Sequence, residues 1–220
     1  MLALECVLDS QTLVEWLNGQ WSVLCYAHRL NVARILYVLQ SMWRAGLWRP
    51  RHSFAPFARH VYREHNKMAD ELATAGLKRL ALGYAFPLPD VKALRGIRVL
   101  SDGGRRTVSQ VDFNPNDVKI SGGGWVLWVA LDLTSPLWAR HFETLCAQVS
   151  RVQECFDNPL RARREGLVGW VALACSSFHL GWCTVMQAEA RACLQGVYAA
   201  CSLVNEGRLF LRPSGFLDQF

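Results

Sequence analysis

The sequence predicts an α/β fold, with strand-like and helix-like stretches interleaved along the chain. Short apolar runs of strand length recur along the chain, Leu2 to Leu8 and Val126 to Ala130 among them. Two such runs end in an acid and a turn or cap residue, at Asp9-Ser10 and at Asp102-Gly103-Gly104. Other stretches repeat apolar residues at helical spacing, as Ile35, Leu36, Leu39, Met42 and Trp43 do. The 220 residues suit one domain with insertions or two small ones. With 51% hydrophobic residues and nine tryptophans, the chain can build a packed core, which argues against general disorder.

Leu2 to Leu8 reads as a buried strand, Asp9-Ser10 as a helix cap, Gln11 to Asn18 as a short helix and Gly19 as its stop. Asn31 to Ala45 carries the helical spacing just described. Around it Arg29, Arg34, Arg44, Arg49, Arg51 and Arg59 are interleaved with Trp43, Trp48 and Phe54. That mixture suits a nucleic-acid backbone, and equally a solvated basic face over a packed helix. His60-Val61-Tyr62 favours a strand. Asn66 is placed to cap a helix bearing Met68, Ala69, Leu72 and Ala73, which holds Asp70 on the first turn beside the end of that strand. Pro87-Leu88-Pro89 cannot continue a helix, and residues 83–94 read as a linker.

Ile97 to Gly104 reads as a strand ending in an acid, where Gly103 and Gly104 would let the backbone approach a phosphate closely. Gly122 to Ala130 reads as a second strand and Gly169 to Cys175 as a third. Between them lies an insertion near 135–166, with a helix around Trp138–Val149 and the basic Arg161-Ala162-Arg163-Arg164. Thr184 to Ala190 opens a last helix, with Glu189 in its first turns and Ala192, Cys193, Gly196, Val197 and Ala200 on one face.

A net charge of +6 and a pI near 9.0 lean towards a polyanionic partner. The eight cysteines form no Cys-x-x-Cys pair and lie mostly in apolar runs, as buried reduced thiols do. No basic-then-apolar leader and no uninterrupted apolar run of about 18 residues is visible. The expectation is an intracellular protein, nuclear or cytoplasmic, that does not cross a membrane.

His60, Arg63-Glu64, Asn66, Ala69-Asp70 and Leu72-Ala73, at their spacing, resemble the last strand and helix of the ribonuclease H family. The Leu2-to-Asn18 stretch is similar to that family's fourth strand with its following helix, Ile97 to Gly104 to its opening strand, and Ala188-Glu189-Ala190 to the helix bearing its second acid. The resemblance implies a mixed five-stranded sheet flanked by helices, with its halves in circularly permuted order. Residues 1–82 resemble the second half and residues 95–220 the first. Gly207 to Ser214 falls where another fourth strand would stand, with Pro213 in place of the acid. The single place beside the opening strand is expected to go to Ala3–Leu8. The halves then complete one domain. Alternatively, the chain is cut from a tandem array and is completed only by neighbouring sequence or a second copy, leaving monomer and swapped homodimer both open.

The resemblance further implies a metal-dependent endoribonuclease of retroelement origin that hydrolyses the RNA strand of RNA–DNA hybrids. Two Mg²⁺ (or Mn²⁺) ions would be held by Asp102, Glu189, Asp9 and Asp70. Asp102 would bridge them, Glu189 and Asp9 would serve the leaving-group side, and Asp70 the water. His60, or His65, would move protons. Gly103, Gly104, Arg105, Ser10, Asn66 and Arg63 would contact the nucleic acid, Asn66 either there or as a brace for its loop. The competing expectation is a catalytically inactive ribonuclease H-like module that only binds nucleic acid or protein. An exonuclease or integrase of the same superfamily fits the order of acids less well.

Overall fold

Eight strands pair into one mixed sheet in the computed structural model, which describes residues 2–46, 48–49, 57–80, 82–88, 94–105, 119–153 and 162–206. At its centre β6 (Lys119–Asp132) pairs antiparallel with β5 (Leu94–Arg105) on one side and with β8 (Val168–Cys183) on the other. On one side β1 (Leu2–Leu8) lies parallel to β5, with Cys6 opposite Val99 and Val7 opposite Leu100. Two short strands, β2 (Trp48–Arg49) and β3 (Ala58–His60), extend the sheet along the far side of β1. On the other side β8 carries β4 (Gly83–Ala85) and β7 (Arg163–Glu165). The chain is thus mixed α/β, as expected.

The helices follow from local chemistry. Ser10 caps α1 (Gln11–Leu17) by accepting a hydrogen bond from the Leu13 N–H at 3.4 Å, and Gly19 closes the turn at φ 71°. The second helix, α2 (Tyr26–Arg44), buries Val32, Ile35, Val38, Leu39 and Met42, five residues at helical spacing. It begins five residues before the expected Asn31. The apolar face of α3 (Lys67–Leu77) is built from Ala69, Leu72, Ala73 and Gly76, and small side chains let it come very close to the sheet. A Cβ on Gly122 would sit 2.3 Å from the Ala73 carbonyl oxygen, and one on Gly124 2.5 Å from the Ala73 nitrogen. Reciprocal bonds between Thr184 and Gln187 start α5 (Val185–Glu206): the Gln187 N–H donates to Thr184 Oγ1 and the Thr184 N–H to Gln187 Oε1.

Neighbouring residues of a strand point to opposite faces of a sheet. A Cβ on Gly103 would meet α5 and one on Gly104 would meet α3, so the two helices clasp β5 from opposite sides at its carboxyl end. One core unites both parts of the chain: Leu4, Cys6 and Leu8 pack in the same cluster as Val99, Leu127, Leu173 and Val197.

Two expectations need correction. The supposed linker over 83–94 is in part an edge strand, because Tyr84 and Phe86 pack against the core and the Phe86 N–H donates to the Leu173 carbonyl at 3.0 Å. The sheet has eight strands among the described residues where the resemblance implied five; one of them is β7 in the insertion, whose expected helix is α4 (Pro136–Gln153), tied to the sheet by Phe142, which fills the space over Gly169. Residues 207–214, with Pro213, lie outside the described residues, as do Arg161, Pro89 and Cys155. Among the described cysteines, Cys6, Cys175, Cys183 and Cys193 are buried thiols and Cys25 is an exposed one. Among the described residues no helix is long and apolar enough to cross a membrane.

Candidate functional site

Four elements deliver four acids to one end of the sheet. The parallel register that sets Val7 beside Leu100 brings Asp9, just past the end of β1, alongside Asp102 in β5. Asp70 arrives on the first turn of α3, on the face that α3 covers. Glu189 comes from the other face, where its backbone nitrogen would lie 2.2 Å from a Cβ on Gly103.

Their proximity shows in their ionisation. Burial, then the charges of Asp9, Glu189 and Asp70, push the Asp102 carboxyl up to about 8. Burial, reinforced by Asp9 and opposed by the Ser10 hydroxyl, pushes Glu189 up to about 7. Asp9 is also raised by burial and by Asp70, against the pull of its own N–H, Asn66 and Arg63. Carboxylates packed this way cannot all ionise unless cations join them. Glu189 Oε2 is buried without a hydrogen-bond partner. The site is oxygen-rich, acidic and short of positive charge, which is the donor chemistry that hard divalent cations take. The four share a field rather than a finished cage: among the described residues no group of three or more His, Cys, Asp or Glu stands ready to hold an ion.

No family model, curated protein or solved structure matches this chain. What the site does has to be read from its own residues.

Asn66 occupies the cap position of α3, yet its side chain caps nothing. Its Nδ2 donates instead to Asp9 Oδ1 at 3.1 Å and to the Ser101 carbonyl at 3.0 Å, tying the ends of β1 and β5 to the start of α3. At 0% exposure it offers no surface to a nucleic acid, so of its two expected roles the brace is the one it fills. Gly103 and Gly104 also have a different use from the one expected. They admit the backbone of α5 and the Ala73 side of α3, and Gly103 is buried. Ser10 turns inward, capping α1 and donating from Oγ to Met186 Sδ at 3.9 Å.

His60 is half-buried at the rim, its Nε2 3.2 Å from the Asp9 carbonyl and its ring edge-on to Tyr62. His65 is exposed on the single 3₁₀ turn Arg63–His65. Arg63, on the same turn, donates from Nη2 to Asp70 Oδ1 at 2.5 Å, while its side chain remains 74% exposed. Arg105 closes β5. Ser101 and Met186 join the site without belonging to any candidate set: the Ser101 carbonyl accepts from Asn66 and Met186 Sδ from Ser10. Neither belongs to a periodic face, and only the packing of β1, β5 and α5 brings them beside the acids.

Proposed function

We propose that this chain is a metal-dependent endonuclease that hydrolyses the RNA strand of RNA–DNA hybrids, with a ribonuclease H-like domain whose halves run in permuted order. One observation carries the reading: four acids, from the end of β1, α3, β5 and α5, share one end of the sheet, where Asp102 is buried and feels the charges of the other three, each half-buried. Two further features support it. The N-terminal strand lies beside β5, the place the resemblance reserves for a fourth strand, and α3 brings Asp70 to the same end of the sheet.

Asp102, Glu189, Asp9 and Asp70 would hold two Mg²⁺ or Mn²⁺ ions, which when bound supply an activated water and a stabilised leaving oxygen. The chain's own residues prepare that state. Burial raises Asp102 to about 8 and Glu189 to about 7, so near neutral pH metal binding would displace protons from this pair. Asn66 aims Asp9 and anchors it to the strand carrying Asp102. With its Nε2–H given to the Asp9 carbonyl, His60 keeps Nδ1 as a proton acceptor at the rim. The exposed Arg29 and Arg44 of α2 suit phosphate contacts along a hybrid, whose 2′-hydroxyls would mark the RNA strand.

The second reading, an inactive binding module, draws on the lack of a finished cage among the described residues and on the Arg63 bond to Asp70. A labelled hybrid incubated with Mg²⁺ separates the two. Cleavage that disappears in folded Asp102→Asn and Asp70→Asn variants supports the nuclease. Hybrid binding without cleavage by the wild type supports the module, and normal turnover by either variant refutes the assigned roles.

A further inference from the structure

We propose that the Arg63 guanidinium is a resident counter-ion that competes with divalent cations for Asp70, and so sets the affinity of the acidic cluster for metal. The inference rests on the metal-site reading above and extends it to a residue that would hold no ion. Arg63 sits on the turn entering α3, seven residues before the acid it binds, and its Nη2 donates to Asp70 Oδ1 at 2.5 Å. Arg63 is the more open partner, with 74% of its side chain exposed against 27% for Asp70, and both reach water, so the pair can part without disturbing the core. The charges of Asp102 and Asp9 act on the same guanidinium, so it answers the field of the cluster as well as one carboxylate.

A divalent ion taking Asp70 must displace this bond, and its own charge then repels the guanidinium. Arg63 has a long stem and lies at the surface, which leaves it free to turn outward, where its planar fork suits a phosphate. Arg63 is thus a positioning residue, acting on metal through Asp70.

The test is calorimetric titration of the full chain with Mn²⁺ at low salt, without nucleic acid. Arg63→Gln is expected to bind Mn²⁺ about threefold to tenfold more tightly than wild type, and Arg63→Lys, which keeps the charge, within about twofold of it. The gain in Arg63→Gln should shrink at high salt, because the pair is exposed. Equal or weaker binding by Arg63→Gln overturns the inference while leaving the metal site standing. Arg63→Lys binding as tightly as Arg63→Gln overturns it as well. A wild type that binds no Mn²⁺ while Arg63→Gln also binds none removes the metal reading itself.

Discussion

Replacing Asp102 with Asn should stabilise the metal-free protein at neutral pH, although it deletes the proposed central ligand. The residue is 6% exposed, and burial with three neighbouring acids holds its carboxyl protonated up to about 8, against an ordinary value of 3.8. The unfolded chain gives up that proton at the ordinary value. Between the two values the folded state binds more protons than the unfolded one, so stability falls as pH rises. At about 1.4 kcal/mol per pH unit, the cost accumulated by pH 7 is about 4 kcal/mol. Sharing of charge among the coupled acids and relaxation of the site absorb roughly half of this, leaving an expected gain of about 2 kcal/mol for Asn. In a domain of this size that corresponds to about 4–8 °C in Tm. The assay is thermal unfolding followed by circular dichroism in EDTA, from about pH 4 to about pH 8. The advantage of Asp102→Asn should be smallest at the acid end and grow with pH. Adding Mg²⁺ should narrow it, because ion binding stabilises the wild type. A variant no more stable than wild type at every pH would refute the claim that Asp102 is held in a repulsive acidic cluster.

Three other substitutions test separate parts of the site and its frame. Gly103→Ala sets a Cβ 2.2 Å from the Glu189 nitrogen, so α5 must shift; urea unfolding should show a loss of about 1–3 kcal/mol, and wild-type stability would refute the close approach. Asn66→Asp removes two donated hydrogen bonds and adds an acid 3.1 Å from Asp9 Oδ1. It should cost about 2–4 kcal/mol at pH 7 and less near pH 4, where the new acid is protonated, and a loss independent of pH would argue against charge repulsion. Arg79→Gly relieves a left-handed residue, φ 58°, just after α3, and equilibrium unfolding should register a gain of about 1 kcal/mol.

Much of the architecture was legible because local chemistry dictates it. Ser10 caps, Gly19 stops and the spacing of Ile35, Leu39 and Met42 are short-range signals, and each corresponds to an observed helix boundary or buried face. Tyr84 was misread because a short apolar stretch beside prolines carries no period; only the free edge of β8 makes it a strand. The same limit applies to Gly103 and Asn66. A glycine after an acid and an asparagine before a helix have familiar local uses, a turn and a cap. Which use prevails depends on whether another element comes within contact distance.

By itself the sequence determined the types of element and the apolar faces, since these depend on residues within a few positions of one another, while the four acids stood out only through the resemblance. Tertiary structure alone decided that Asp9 stands beside Asp102, that α3 and α5 clasp β5 from opposite faces, and that Arg63 neutralises Asp70. Those relations join residues far apart in the chain, and only the parallel pairing of β1 with β5 and the close approach of helices over glycines make them neighbours.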